Sequence, residues 1–527
     1  MIRRLLMLLA LALGGTGVAH AQWKEASTRN FIVYSDGDEA SLRAFAEKLE
    51  RFDFVLRRYH RVEAPPSPNR LRVFLVNNQN AVAALYGAPE SGVAGYYITD
   101  SRGMMMIGSR NTTRMAGARR ADLETRTLES ETVLLHEYTH HFMYQYFPAT
   151  YPSWYSEGWA EFWGATRFGA NGEVEVGHPA EHRFATFEGG RWLSITNMLE
   201  AQNYGQVHDI GLLYAQGWLM VRYAWENPER QRQLQQYLTL INRGTTYAEA
   251  ARQAFGDLAR LNSELRAYSG RGRFNVLVLP FRSIDTGPIE IRTLAGAQQA
   301  MLRTEIELSQ GVSNREFPAF AARVRDEAAR FPDDPFALRL LAEVERTAAN
   351  PPAAQAAVDR LLSRAPDDAR GLMMKAMLAT DALRAAGNNA AQAWTEARAP
   401  LVRALALAPN DPIVQEAYYD SFALTMAIPP EEAQAALYQA MELAPSDGSL
   451  RHKVAADFER REMIADAIAI IRPEAYRVPD RSDETERARE RRLRREDRYR
   501  RAGTTRTESA REMLDRLVRR QEEAGTR

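Results

Sequence analysis

The chain of 527 residues has no cysteine. That excludes a disulfide framework, a thiolate metal site and a lipid-bearing cysteine. A chain this long can rely on hydrophobic cores instead. It has no net charge, with 68 basic and 68 acidic residues, and it has neither a phosphate-binding glycine loop nor a nucleic-acid module, so nothing points to nucleic acid as a partner. It also lacks any apolar run of membrane-spanning length beyond its start. The start itself reads as a secretory signal peptide over residues 1–21. Arg3 and Arg4 are its basic part, Leu5 to Leu13 its apolar part, and Ala19-His20-Ala21 its small-residue cleavage site. The apolar part is too short to span. The expectation is an exported, periplasmic protein with no membrane span after cleavage.

Against these absences stands His136-Glu137-Tyr138-Thr139-His140, an HExxH string. On a helix, residues four apart lie on one face, so His136 and His140 aim their imidazoles at one point. Glu137 lies about 100° round the helix and can reach a metal-bound water without binding the metal. The flank Thr132-Val133-Leu134-Leu135 is uncharged, as suits a helix buried on most sides. Glu157 follows in WYSEGWAEFW, 17 positions after His140 (157 − 140). Pro148 and Pro152 end the first helix. Ser153 is the expected N-cap of a second, from about Trp154 to Arg167, which puts Glu157 and Glu161 on one face.

These strings resemble those of the gluzincin metallopeptidases of the peptidase MA-like superfamily. There the third ligand is a Glu in an N-E-G/A string on the helix after HExxH; SEGWAE matches with Ser in place of Asn. The resemblance implies a Zn2+ site held by His136, His140 and Glu157, with Glu137 as general base. It implies that Glu161 receives the other ring N–H of a ligand histidine. The gap is slightly shorter than is usual in the family, so an exchange with Glu161 as ligand stays open. Leu213-Tyr214-Ala215-Gln216-Gly217 resembles the Y-x-x-G helix of aminopeptidase N-like members, which implies that Tyr214 contacts the oxyanion. A core tyrosine on a helix from Ile210 to Ala224 is the other reading, and His208 an alternative donor. No G-A-M-E-N string occurs, so recognition of a free N-terminus is not expected. His141 is expected to pack beside the site, and His178 and His182 to line the cleft. His60 and His452 have no supporting context.

Residues 22–268 read as one α+β zincin-like domain. Its signals are strands at 30–34 and 71–76, a helix from Glu39 to Tyr59, and a hairpin of 95–99 and 104–108 around Asp100-Ser101-Arg102-Gly103. An edge strand upstream of HExxH holds the substrate backbone in zinc peptidases of this type; a plain sheet edge is the alternative. Residues 111–128 read as a polar, flexible loop. Residues 269–293 read as a strand-containing connector. From 294 to 475 the strings FPDDP, APDDA, APNDP and APSDG recur between Ala/Leu-rich helices. Their prolines lie 34, 43 and 36 positions apart (366 − 332, 409 − 366, 445 − 409). A period near 34 resembles tetratricopeptide repeats, about four of them, the longer unit carrying an insertion at 385–389. The fold class expected is therefore an α+β zincin-like domain followed by an all-α tetratricopeptide-like repeat domain. Residues 476–527 read as a charged helical or disordered tail.

The function these readings imply is a secreted zinc-dependent peptidase acting on a peptide or protein substrate, with a repeat domain for a protein partner. One rival is a non-catalytic repeat scaffold carrying a vestigial or structural zinc domain. Another is hydrolysis of a different amide, such as a cell-wall crosslink.

Overall fold

The computed structural model describes residues 22–476 and 508–525, apart from 88, 90–92, 100–103, 112, 115–126, 170–171, 202–205, 272–273, 280–283 and 313. The leader, the turn at 100–103, most of the 111–128 loop and the Arg/Glu-rich part of the tail lie outside the described residues.

Short strands of period two build a six-stranded mixed sheet. Its members are β1 (Lys24–Ser27), β2 (Phe31–Ser35), β3 (Leu71–Val76), β4 (Gly95–Ile98), β5 (Met105–Ser109) and β11 (Glu290–Thr293). The order is β11-β1-β2-β3-β5-β4. β2, β3 and β5 run parallel, with Val33 opposite Val73 and Val73 opposite Met106. β4 returns antiparallel to β5 and forms one edge. A pair of two-residue strands, β6 (Thr113–Arg114) and β7 (Thr127–Leu128), precedes the HExxH segment.

Alternation assigns each face of the sheet to a different cover. Phe31, Val33, Val73 and Met106 pack on α1 (Glu39–His60) and α3 (Ser130–Tyr146). Tyr34, Phe74, Met105 and Ile107 pack on α2 (Gln79–Tyr86) and on Leu302 and Ile306 of α11 (Gly296–Gln310). The first face continues into a layer of helices: α4 (Ser153–Gly164), α5 (Glu181–Phe184), α6 (Ile195–Glu200), α7 (Ile210–Glu226), α8 (Pro228–Asn242), α9 (Tyr247–Phe255) and α10 (Leu258–Ser269). A small sheet of β8 (Arg167–Phe168), β9 (Val174–Val176) and β10 (Leu277–Leu279) lies at its side.

Several boundaries differ from expectation. Both strands of the stretch 269–293 join sheets of the N-terminal half: β11 pairs with β1, and β10 with β9. The helix after HExxH starts at Ser153 and stops at Gly164. Pro152 holds the N-cap position and no side chain caps the helix, so Ser153 is its first residue rather than its cap. Arg167 is drawn into the β8–β9 ladder instead of continuing the helix.

The C-terminal half is helical: α12 (Phe317–Ala329), α13 (Pro335–Thr347), α14 (Pro351–Arg364), α15 (Ala369–Ala385), α16 (Ala391–Leu407), α17 (Pro412–Ala423), α18 (Glu431–Leu443), α19 (Gly448–Arg460) and α20 (Ile464–Tyr476). The recurring strings have one mechanical role. Each ends one helix and supplies the N-cap of the next through the Asp at its fourth position. Asp334, Asp368, Asp411 and Asp447 accept backbone N–H bonds at the starts of α13, α15, α17 and α19. The extra length of the unit expected to hold an insertion lies mostly in its helices. α15 and α16 have 17 residues each, against 12 to 14 in α13, α14, α17 and α18. A last helix, α21 (Ala510–Gly525), buries Met513, Leu514 and Leu517 against Ile468 and Ile471. This end of the tail is thus packed rather than solvated. Among the described residues no helix is long and apolar enough to cross a membrane.

The capping role predicts a difference between neighbours. Asp368→Ala removes the bond to Gly371 N–H and an ion pair with Arg339, and should cost about 1–2 kcal/mol in denaturant unfolding. Asp367, whose partner Arg403 is also exposed, should tolerate Ala within about 0.5 kcal/mol.

Candidate metal centre

α3 carries the HExxH string through the middle of the N-terminal half. Val133, Leu134, Leu135, Tyr138, Phe142 and Met143 are all buried, so the helix has apolar neighbours on most sides. Tyr138 donates to Asp53 of α1 at 2.5 Å, which pins the helix from behind. Gly95 of β4 leaves no room for a Cβ, which would meet Val133 at 2.6 Å and the Glu137 side chain at 3.4 Å. The edge strand therefore runs directly beside Glu137.

α4 crosses α3 so that the Cβ that Gly164 lacks would touch His136 at 3.1 Å. α7 in turn meets α4 backbone to backbone. A Cβ on Gly158 would stand 2.2 Å from the Gly217 carbonyl carbon, and one on Gly217 would stand 2.3 Å from Trp154 O. Glu157 precedes one of these glycines. Tyr214 lies one turn before the other, and its ring is nearly parallel to that of His136, 6.2 Å away.

The result is a cluster of His136, His140 and Glu157 with ligand atoms turned toward one another. The two Nε2 atoms are 3.1 Å apart. Glu157 Oε2 lies 3.1 Å from His136 Nε2 and 3.4 Å from His140 Nε2. A tetrahedral ion with bonds near 2.0–2.1 Å places its ligand atoms about 3.3 Å apart, so the three atoms fit one ion. The far ring nitrogens are occupied as such a site requires. His136 Nδ1 faces Glu161 Oε1 at 3.3 Å, and His140 Nδ1 faces Ser156 Oγ at 3.3 Å. Between the two carboxylates left open by spacing, Glu157 is the one beside the Nε2 atoms, and Glu161 lies behind His136.

Glu161 is almost wholly buried and gathers three donors. Besides His136 these are His182 Nε2 at 2.9 Å and Arg183 Nη2 at 2.5 Å. Despite burial, Arg183, His182 and His136 hold its carboxyl well below the ordinary range. His140 and His136 do the same for Glu157. Burial raises the Glu137 carboxyl, against the pull of the histidines, as suits a group that takes up and returns a proton.

The other histidines are apart from the cluster. His141 Nδ1 is 3.0 Å from Tyr97 OH, and burial pushes its imidazole down to about 3. His178 contacts Glu175 at 2.7 Å, and His182 sits behind Glu161 rather than along an open cleft. His60 lies among Phe142, Phe147, Trp159 and Trp163, and His208 is exposed. Sequence reasoning missed Arg183. The one signal for it was that two acids on α4 need counter-charge from somewhere. No protein-family model matches the chain, and no curated protein matches it.

The cluster predicts a pH dependence. Burial opposes a charge on His136, but hydrogen bonds and charge from Glu157 and Glu161 raise its imidazole to about 10. An ion at Nε2 must displace that proton. Between the ordinary histidine value near 6.5 and 10, binding should release about one proton per ion. Affinity should then rise about tenfold per pH unit. Calorimetry in buffers of different ionisation enthalpy reads the proton directly; uptake with no release at pH 8 would contradict the assignment.

Proposed function

We propose that this chain is a zinc-dependent peptidase of gluzincin type, exported to the periplasm, whose helical half is a tetratricopeptide-like array that binds protein. The observation that carries the reading is the set of three ligand atoms at tetrahedral spacing, with Glu137 between them and an edge strand. His136, His140 and Glu157 would hold the ion. Bound zinc supplies acidification of water and polarisation of the scissile carbonyl. Glu137 takes the proton from the attacking water and delivers it to the leaving amine. Tyr214 donates its phenol hydrogen to the oxygen that gains charge. The backbone of β4 takes the substrate as an added strand, which favours an extended peptide segment over a folded surface.

A repeat scaffold with a merely structural ion is the rival. It has no use for an acid at position 137, half-buried beside the ligands and without an ion pair to Lys or Arg among the described residues. Structural zinc sites fill all four positions with protein, whereas the cluster here supplies three residues among those described.

Mature protein from Gln22 and its Glu137→Gln variant separate the readings. Zinc near one per chain in both, with peptide-library cleavage reduced at least about a hundredfold in the variant, is the expected result. Zinc in both with cleavage in neither would favour the scaffold, and no zinc in the wild type after reconstitution would remove the basis of the proposal.

A further inference from the structure

Arg183 sits on α5, outside every motif that drew attention to the site, yet it touches both of the site's supports. Its Nη2 donates to Glu161 Oε1 at 2.5 Å, and the same oxygen lies 3.3 Å from His136 Nδ1. Its guanidinium lies over the Tyr214 ring, 4.6 Å from the centroid. The Tyr214 ring in turn is parallel to that of His136 to within 11°. Guanidinium, phenol and imidazole are thus neighbours in turn, and Glu161 links the first to the last. Arg183 Nε is buried with no hydrogen-bond partner among the described residues. An unpaired buried N–H is unfavourable, so the contacts to Glu161 and Tyr214 are what hold the side chain in place.

We propose that Arg183 is the positioning residue of this centre: through Glu161 it fixes the ring of His136, and by lying over the Tyr214 ring it fixes the phenol. The inference rests on the peptidase reading for its second half only. Its first half concerns metal retention and stands without any cleavage. A planar guanidinium can do both jobs at once, because its edge donates hydrogen bonds while its face stacks on a ring. Lysine can donate the hydrogen bond but has no planar face to lay on the ring.

Four full-length variants test this: Arg183→Gln, Arg183→Lys, Tyr214→Phe and Arg183→Gln combined with Tyr214→Phe. Zinc loss to a chelator is measured for each, with kcat and KM on a peptide cleaved by the wild type. Thermal unfolding of the zinc-loaded proteins checks that each is folded. Arg183→Gln should hold zinc about 10–100-fold more weakly and lower kcat with little change in KM. Arg183→Lys should recover zinc retention but not kcat. In the double variant, kcat should fall no further than in Tyr214→Phe. If Arg183→Gln retains zinc and kcat like the wild type, the proposal is overturned. It is overturned equally if the kcat losses of Arg183→Gln and Tyr214→Phe multiply, since Arg183 would then not act through Tyr214. Should Arg183→Gln not fold, the Lys variant decides alone: full recovery of kcat would show that charge suffices and that stacking has no role. Failure of the peptidase reading appears elsewhere, as absence of cleavage by the wild type, and leaves the zinc comparison in force.

Discussion

Two glycines facing each other set the distance on which the centre depends. Gly158 and Gly217 let α4 and α7 meet backbone to backbone, and any Cβ at either position would overlap main-chain atoms of the other helix. Relaxing such an overlap means moving a helix, because main-chain atoms have no rotamer to retreat into. The residues next to this contact are the ones whose placement matters. Glu157 adjoins Gly158, and Tyr214 stands one turn from Gly217 on the side of His136. A third glycine, Gly164, brings the end of α4 against His136 itself. The Y-x-x-G spacing therefore has a mechanical meaning here: the glycine sets the approach, and the tyrosine uses it.

That close packing creates an electrostatic problem, which the same elements resolve. Glu157 and Glu161 are both buried. Isolated carboxylates in such a place would be protonated rather than charged. Glu157 faces the two Nε2 atoms, and Glu161 is surrounded by His136, His182 and Arg183. Charge is thus passed outward in steps, from ligand to carboxylate to guanidinium. The short helix α5 ends the sequence by supplying two hydrogen-bonding side chains in succession, His182 and Arg183.

The part of this that could be read from the chain is the part governed by local geometry. His136 and His140 share a face because they are four residues apart, and no tertiary knowledge is needed for that. The recurring strings were legible as breaks between helices, but that Asp334, Asp368, Asp411 and Asp447 cap the helices that follow was not read from them. Glu157 and Glu161 are also four residues apart, and here local geometry gives no choice between them. The crossing of α3 and α4 decides which carboxylate reaches Nε2 and which reaches Nδ1. Arg183 was illegible because nothing local ties a four-residue helix to an acid 22 positions earlier. The pairing of β11 with β1 was equally hidden. Glu290 to Thr293 look like a linker strand until Lys24 to Ser27, more than 260 residues away, are placed beside them.

The same long-range return makes the two halves unequal partners in holding each other. At the near end, Leu302 and Ile306 of α11 are buried against the sheet, and each such side chain contributes about 1.5–3 kcal/mol. Arg72 of β3 adds an ion pair to Glu305. At the far end the contacts are polar and fewer: Asn69 to Leu443 O, Thr150 to Pro473 O, and Arg472 to Arg243 O. Hydrogen bonds of this kind are worth about 0.5–1.5 kcal/mol each. The array is therefore fastened firmly where it begins and lightly where it returns. A further contact there falls on the edge strand, for Tyr97 lies 3.4 Å from Ser446 and 3.0 Å from His141, a neighbour of the centre on α3. Releasing the far end would therefore cost less than displacing α11, which would expose the sheet.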